Sequence, residues 1–375
     1  MGGGTARIVS IALVLAFAGQ AALAARVVDP ASARQVIANP AIEAIGAQLT
    51  ALAAEGRVSD LAARIDLIAN DRTISDVAQE WLLDRGLHAL ARLEPTGRAS
   101  EAVLRLVARD PIVYTRVDPD HGDRATPLYD TGATARFVFR NWERNAARGA
   151  AQADLAAGRA AIVERFAGRA GDREWDPVRA GIGDAFRTAA PALLAAQRAA
   201  IVEAIGRGRR VDELALILAE RLADAQLFEL VFGLADAPVA LAAIPGAVRA
   251  LDAQTAFGRL SLASRRAEIA SAAALEIGRL ARSDTAARQF LFDALEQPDI
   301  GPSAAAALAT LKDPAVASEL GRRLAEARSE ESRRLFVLAL RLDESAASRE
   351  ELQRFAASKH GSSELQREVQ QWLER

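Results

Sequence analysis

Along most of the chain, apolar and polar positions alternate with the period of an α-helix. The pattern is clearest between Asp299 and Glu331. A run from Ala304 to Leu311, opened by Gly301-Pro302-Ser303, is closed by Lys312-Asp313-Pro314. In the run that follows, Val316, Leu320 and Leu324 stand four apart and share one helical face. Asp313 suits the N-cap, where a carboxylate accepts from free backbone N–H groups. Pro314 suits the first helical position, where a missing N–H costs nothing. The prediction is a short helix, a tight turn and a second helix.

This unit recurs. Leu280, Leu311 and Leu342 stand 31 residues apart, each closing a helix before an acidic turn: Ala281-Arg282-Ser283-Asp284, Lys312-Asp313-Pro314 and Asp343-Glu344-Ser345. The helices after these turns carry Phe290 and Leu291, then Leu320, then Leu352. Helix pairs repeating at about this period form a solenoid, in which each pair buries its apolar face only against its neighbours. Upstream, Leu227, Leu230, Val231 and Leu234 mark one buried stripe, and Leu214, Leu218 and Leu222 another. Leu87–Leu93, the turn Glu94-Pro95-Thr96-Gly97 and Glu101–Ala108 read as helix, turn, helix. Ser348 with Glu351, and Ser363 with Gln366, fit capping boxes for the last two helices. The final helix ends at Trp372 and Leu373 and is expected to close the array.

Residues 304–324, AAAALATLKDPAVASELGRRL, resemble a HEAT repeat of the short kind found in phycobilisome-lyase-type arrays. The likeness lies in the small residues of the first helix, the Leu-x-Asp-Pro turn, and Val then Leu leading the second helix. It extends over Ile269–Asp343 and thins upstream. The resemblance implies an all-α fold, an α-solenoid of HEAT-like antiparallel helical hairpins. Some members of that group act on bilins, but the repeat itself defines only scaffold and carries no catalytic residue onto this sequence.

One segment departs from the helical pattern. From Asp110 to Arg136 the chain reads DPIVYTRVDPDHGDRATPLYDTGATAR, with three prolines, two glycines and both tyrosines of the protein. Such a stretch cannot be one helix, and an irregular run of this length inside a compact protein is either functional or disordered. Its Ile112, Val113, Tyr114, Val117 and Tyr129 argue for order. The expected organisation is therefore a leader at 1–24, helical repeats over 25–109, an irregular Pro/Asp-rich insertion at 110–136, and repeats with a capping helix over 137–375.

The insertion holds both candidate chemistries. Asp118, Asp120, His121 and Asp123 place three carboxylates and an imidazole within six residues, a donor set suited to calcium or another divalent ion. The spacing is not that of an EF-hand, and the same residues serve any exposed turn. Tyr114, Arg116, Tyr129, Arg136 and Arg140 instead combine residue types that dominate protein-binding hot spots. The competing expectation is that the two tyrosines pin the insertion onto the helices. His88 reads as a packing residue, and His360, before Gly361, as a helix-end residue. Neither Gly-x-Ser-x-Gly nor His-Glu-x-x-His occurs. Trp81, Trp142, Trp175 and Trp372 are dispersed beside helical runs and read as packing residues.

Composition narrows the picture further. The 375 residues carry a net charge of −2, with acids and bases interleaved, which disfavours nucleic acid as partner. Lysine occurs only at 312 and 359, and the arginine bias reads as genomic base composition. Cysteine is absent, so stability rests on packing, and thiol chemistry is excluded. At the start, Arg7, the apolar run Ile8–Ala18 and Ala22-Leu23-Ala24 have the layout of a secretory signal peptide cleaved after Ala24. The run is shorter than the roughly 20 residues a membrane span needs, so no stable membrane insertion is expected once it is removed. The sequence thus points to a periplasmic, or alternatively secreted, non-catalytic scaffold for a protein or peptide partner, with no cofactor. The other reading is a divalent-metal-dependent binder or enzyme centred on Asp118–Asp123. N-terminal sequencing of the exported protein is expected to begin at Ala25; a retained Met1 would rule the cleavage out.

Overall fold

The computed structural model describes residues 26–116, 125–169, 176–358 and 360–374, and these contain twenty helices and three short strands. The leader residues and Asp118, Asp120, His121 and Asp123 lie outside the described residues, as does Trp175. Two compact units divide after Trp142. The first contains β1 (Arg26–Val27), α1 (Pro30–Ile37), α2 (Pro40–Ala54), α3 (Val58–Asn70), α4 (Asp76–Leu90), α5 (Gly97–Leu106), β2 (Val113–Arg116) and β3 (Ala125–Pro127). The dividing point falls inside α6 (Thr131–Ala156). The second unit continues with α7 (Ala161–Ala167), α8 (Pro177–Thr188), α9 (Pro191–Gly206), α10 (Asp212–Leu222), α11 (Ala225–Leu234), α12 (Ala237–Ala250) and α13 (Ala253–Ala263). It ends with α14 (Ala267–Leu280), α15 (Thr285–Ala294), α16 (Gly301–Ala309), α17 (Pro314–Glu326), α18 (Glu330–Asp343), α19 (Ala346–Ala357) and α20 (Ser363–Leu373).

In the second unit the principal contacts join helices that are neighbours in sequence or next but one. The helices α8, α10, α12, α14, α16 and α18 form one continuous row, and α7 packs on α9, α11 on α13 and α17 on α19. This is the solenoid-like arrangement the 31-residue period predicts, since α14, α16 and α18 are successive members of one row. The period fixes position rather than burial: Leu280 is buried, whereas Leu342 is 45% exposed. The Lys312-Asp313-Pro314 turn forms as expected, with Asp313 accepting from Ala315 N at 2.9 Å. Its tightness comes from Lys312, which sits in the left-handed region at φ 53°. Ala223 and Glu344 do the same just before the N-caps Asp224 and Ser345. One left-handed residue followed by a capping side chain is thus a recurrent way of reversing the chain here.

Row spacing is set by small residues. A Cβ added to Gly278 of α14 would lie 2.7 Å from the Ala307 Cβ of α16, and one on Gly246 of α12 would collide with the Glu220 side chain of α10. Helix ends are satisfied in a second recurrent way. The guanidinium groups of Arg221, Arg266, Arg288 and Arg333 donate to the C-cap carbonyls of α8 (Ala189), α11 (Ala235), α14 (Ala281) and α17 (Ala327), at 2.6–2.8 Å. Whatever its genomic origin, the arginine bias is used structurally, because one fork supplies several donors to carbonyls that have no intrahelical partner.

Three local expectations shift. In α11 the buried stripe is Leu227, Phe228, Val231 and Phe232, while Leu234 is 64% exposed. The two larger phenylalanines, with centroids 6.1 Å apart, turn the helix so that they face the core. The caps of the last two helices are Ser345 and Ser362, accepting from Ser348 N and Leu365 N at 3.2 Å each, rather than Ser348 and Ser363. Ser348 is fully buried and donates to Asp343 instead. At the end of the unit α20 packs on α19 and buries Leu365 and Val369, with the Arg341 guanidinium 4.1 Å over Trp372.

These contacts predict opposite outcomes for two Gly→Ala changes. Gly278→Ala is expected to destabilise by about 1–3 kcal/mol, because overpacking outweighs helix propensity. Gly258→Ala in α13, with nothing within 4 Å of the added methyl, is expected to stabilise by about 0.5–1 kcal/mol. Urea denaturation of the two variants checks both signs.

Candidate functional site

The residues singled out in the insertion are carried by a small sheet and the first turns of α6. The strands run in the order β1-β2-β3, with β1 parallel and β3 antiparallel to β2; Tyr114 lies opposite Pro127 and Arg116 opposite Ala125. The insertion is therefore partly ordered as a hairpin, and helix resumes at Thr131 rather than after Arg136. Asp130 restarts it, accepting from Ala133 N at 2.7 Å. Beneath the sheet lies a small core of its own. Ala33, Val77 and Val113 are buried there, with Val28, Val36, Ile37, Ile112 and Leu128 packed around them.

The sheet offers little edge for another strand. Leu128 N–H bonds back to Val113 O at 2.9 Å. In the alternating antiparallel ladder this points Thr126 at β2 and leaves Ala125 and Pro127 facing outward. Pro127 has no N–H to give. On the other side β1 is two residues long and runs directly into Asp29 and Pro30. Both edges are blunted against strand addition.

Below the hairpin, α4 provides a polar seat. Glu80 is fully buried, and its carboxylate accepts from Arg109 Nε at 2.9 Å and from the Thr131 hydroxyl at 2.6 Å. Arg109 also donates to Gln79 Oε1 at 2.7 Å, and Gln79 in turn donates to Ile68 O at 2.8 Å. Gly132 brings α6 so near Arg109 O that no side chain would fit there. Further along α6, Thr134 donates to Asp84 at 2.8 Å, Asn141 to Ala91 O at 2.5 Å and Trp142 Nε1 to Leu90 O at 3.1 Å. The last two satisfy carbonyls at the C-terminal end of α4.

Within this frame, Tyr114 is half-buried on β2 and Arg116 is the last residue of that strand. Tyr129 is half-buried, and burial first, then the Asp84 carboxylate, raise its hydroxyl above the ordinary tyrosine range. Arg136 is exposed and donates to Val107 O at 2.8 Å, the C-cap carbonyl of α5. Arg140 is exposed and has no polar partner among the described residues. No hydrogen bond, ion pair or ring contact joins any two of Tyr114, Tyr129, Arg136 and Arg140 among the described residues. Nor, among those residues, is any group of three His, Asp or Glu side chains placed to hold a metal ion.

His88 differs from expectation. It is exposed, with Nδ1 2.9 Å from Asp84 O and 3.4 Å from the Asp84 carboxylate, and its ring lies 6.1 Å from Phe137. Phe137, 49% exposed, is the surface aromatic that sequence reading passed over. Its helical phase alone does not separate it from its buried neighbour Val138. Three comparisons, with protein-family models, curated proteins and solved structures, find no match to this chain.

The seat depends on Arg109. Arg109→Ala is expected to cost about 3–5 kcal/mol, because it strands the Glu80 carboxylate in the interior. Glu80→Gln in the same chain is expected to recover part of that loss. A change below about 1 kcal/mol in urea denaturation would show that the pair does not hold the hairpin down.

Proposed function

We propose that the protein is a HEAT-like, non-catalytic interaction scaffold of the bacterial cell envelope that holds a protein or peptide partner on its repeat surface or beside the hairpin. The observation that carries this reading is the placement of exposed leucines on a helix row. Leu241 of α12 and Leu275 of α14 are 41% and 48% exposed. Row neighbours cover both flanks of each helix, and sequence neighbours pack against them as well. The leucines therefore look outward from the row, as binding residues do in repeat arrays.

Other features agree. The α16–α17 turn, where Asp313 caps α17 ahead of Pro314, suits the HEAT-like reading of the sequence, and the first two dozen residues have the composition of an export leader. The hairpin is fixed to the helices by a buried ion pair, as suits a loop that positions binding groups on a rigid support. The test is capture from periplasmic extract with the mature chain, beside a Leu241→Arg/Leu275→Arg variant and one whose residues 117–124 are replaced by a Gly/Ser linker. A specific partner that one variant loses, with helicity intact by circular dichroism, is the expected result. If no partner is recovered and chelation lowers the melting temperature, the scaffold reading fails in favour of a metal at Asp118–Asp123.

A further inference from the structure

In the first unit α4 is enclosed on all sides but one. Its exposed stripe carries Trp81, Arg85 and His88 at the i, i+4, i+7 spacing of a single face, and Arg92, four residues after His88, follows directly on the C-cap Ala91. The helices α2 and α6 border this face on either side. On the α2 side Gly46 leaves room for the Trp81 indole, where a Cβ would stand 2.8 Å from its ring. Thr50 accepts from Arg85 at 3.1 Å, and Arg85 in turn lies 5.4 Å over Trp81. On the α6 side Phe137 stands beside His88, and Asn141 is bonded to Ala91 O, which brings Arg140 to the same rim.

Arginines predominate on this face. Arg85, Arg92 and Arg140 have no carboxylate partner among the described residues, and Arg136 donates only to a backbone carbonyl. Asp84 is a carboxylate of this face, and Thr134 and His88 already engage it. Elsewhere arginines are commonly paired with acids, as Arg322 is with Glu319 and Glu326. This face therefore combines a half-exposed phenylalanine, a partly exposed tryptophan and guanidinium forks with donors free.

We propose that this face is the docking site for an acidic peptide segment of a protein partner, one that carries an aromatic or leucine anchor. The anchor packs against Phe137 and the edge of His88, and its flanking carboxylates take the forks of Arg85, Arg92 and Arg140, a pairing that planar guanidinium favours. Side-chain recognition is required here because the sheet edges nearby are blunted. The proposal rests on the scaffold reading and deepens it by naming the surface and the chemistry of the partner.

The test measures fluorescence anisotropy of three labelled short peptides against the full mature chain at about 0.15 M salt. One is Asp/Glu-rich with a central Phe, the second has Lys at the acidic positions, and the third has Ala for the Phe. The acidic Phe peptide is expected to bind at least about tenfold more tightly than the other two. Phe137→Ala and Arg140→Glu are each expected to weaken it by about tenfold, with Arg92→Glu as a second charge reversal and Arg249→Glu in the other unit without effect. Equal binding of the acidic and basic peptides, or full binding by the Phe137→Ala/Arg140→Glu double variant, would overturn the proposal. Should that double variant still capture the same extract partner as the unaltered chain, the patch is wrong and the scaffold reading stands.

Discussion

Every α-helix ends in carbonyl groups that have no partner within the helix. An array of short helices multiplies those ends. In this protein the recurrent answer is an arginine from a different helix, or from its N-cap, reaching the C-cap carbonyl. Arg136, Arg221, Arg266, Arg288 and Arg333 serve α5, α8, α11, α14 and α17 in turn. Each fork spans two elements, so it satisfies an orphan acceptor and fixes the distance between neighbours in one contact. Gly278 against Ala307 and Gly246 against Glu220 then allow the row helices to close up around that spacing.

The hairpin belongs to the same scheme with the chemistry reversed, since its fastening centres on a buried acid rather than on a base. Glu80 lies in the second turn of α4 with no solvent contact, and it is tolerable there because Arg109, just past α5, and Thr131, at the start of α6, reach it. A charge in that position makes the seat specific: the insertion can return to the helices only where a hydroxyl and a guanidinium meet the carboxylate. The hairpin is thereby fastened to α4 and α6.

How much of this was legible depended on whether the signal was local. The Asp313–Pro314 turn, the period linking α14, α16 and α18, and the stripe of Val316, Leu320 and Leu324 follow from spacing and capping chemistry, and they stand where reading placed them. Misplacements arose where a neighbour decided the matter. Leu234 and Leu342 have the right phase but project beyond the packed row, and Phe228 and Phe232 outweigh Leu230 by size. The three-stranded sheet needs Arg26–Val27 beside Val113–Arg116, partners too far apart in sequence for any local pattern to reveal. Of the candidate site, the tyrosines and arginines of the insertion were visible as residue types. That Phe137, His88, Arg85 and Trp81 share one surface depends on α2, α4 and α6 meeting, which only tertiary structure supplies.

The row of helices in the second unit also bears on how that unit comes apart. Its principal contacts join helices adjacent or two apart in the chain, so no distant segment has to return for any one pair to form. Closing α17 onto α19, or α16 onto α18, is a local event with only one helix between the partners. Opening is then graded: terminal pairs separate at a free energy well below that of the interior, as in linear arrays whose stability is a sum over neighbours. The interior leucines and phenylalanines around α14 and α16 would exchange their amide protons last, and α19 and α20 first. A partner lying across several helices of the row would tie those graded openings into one cooperative transition.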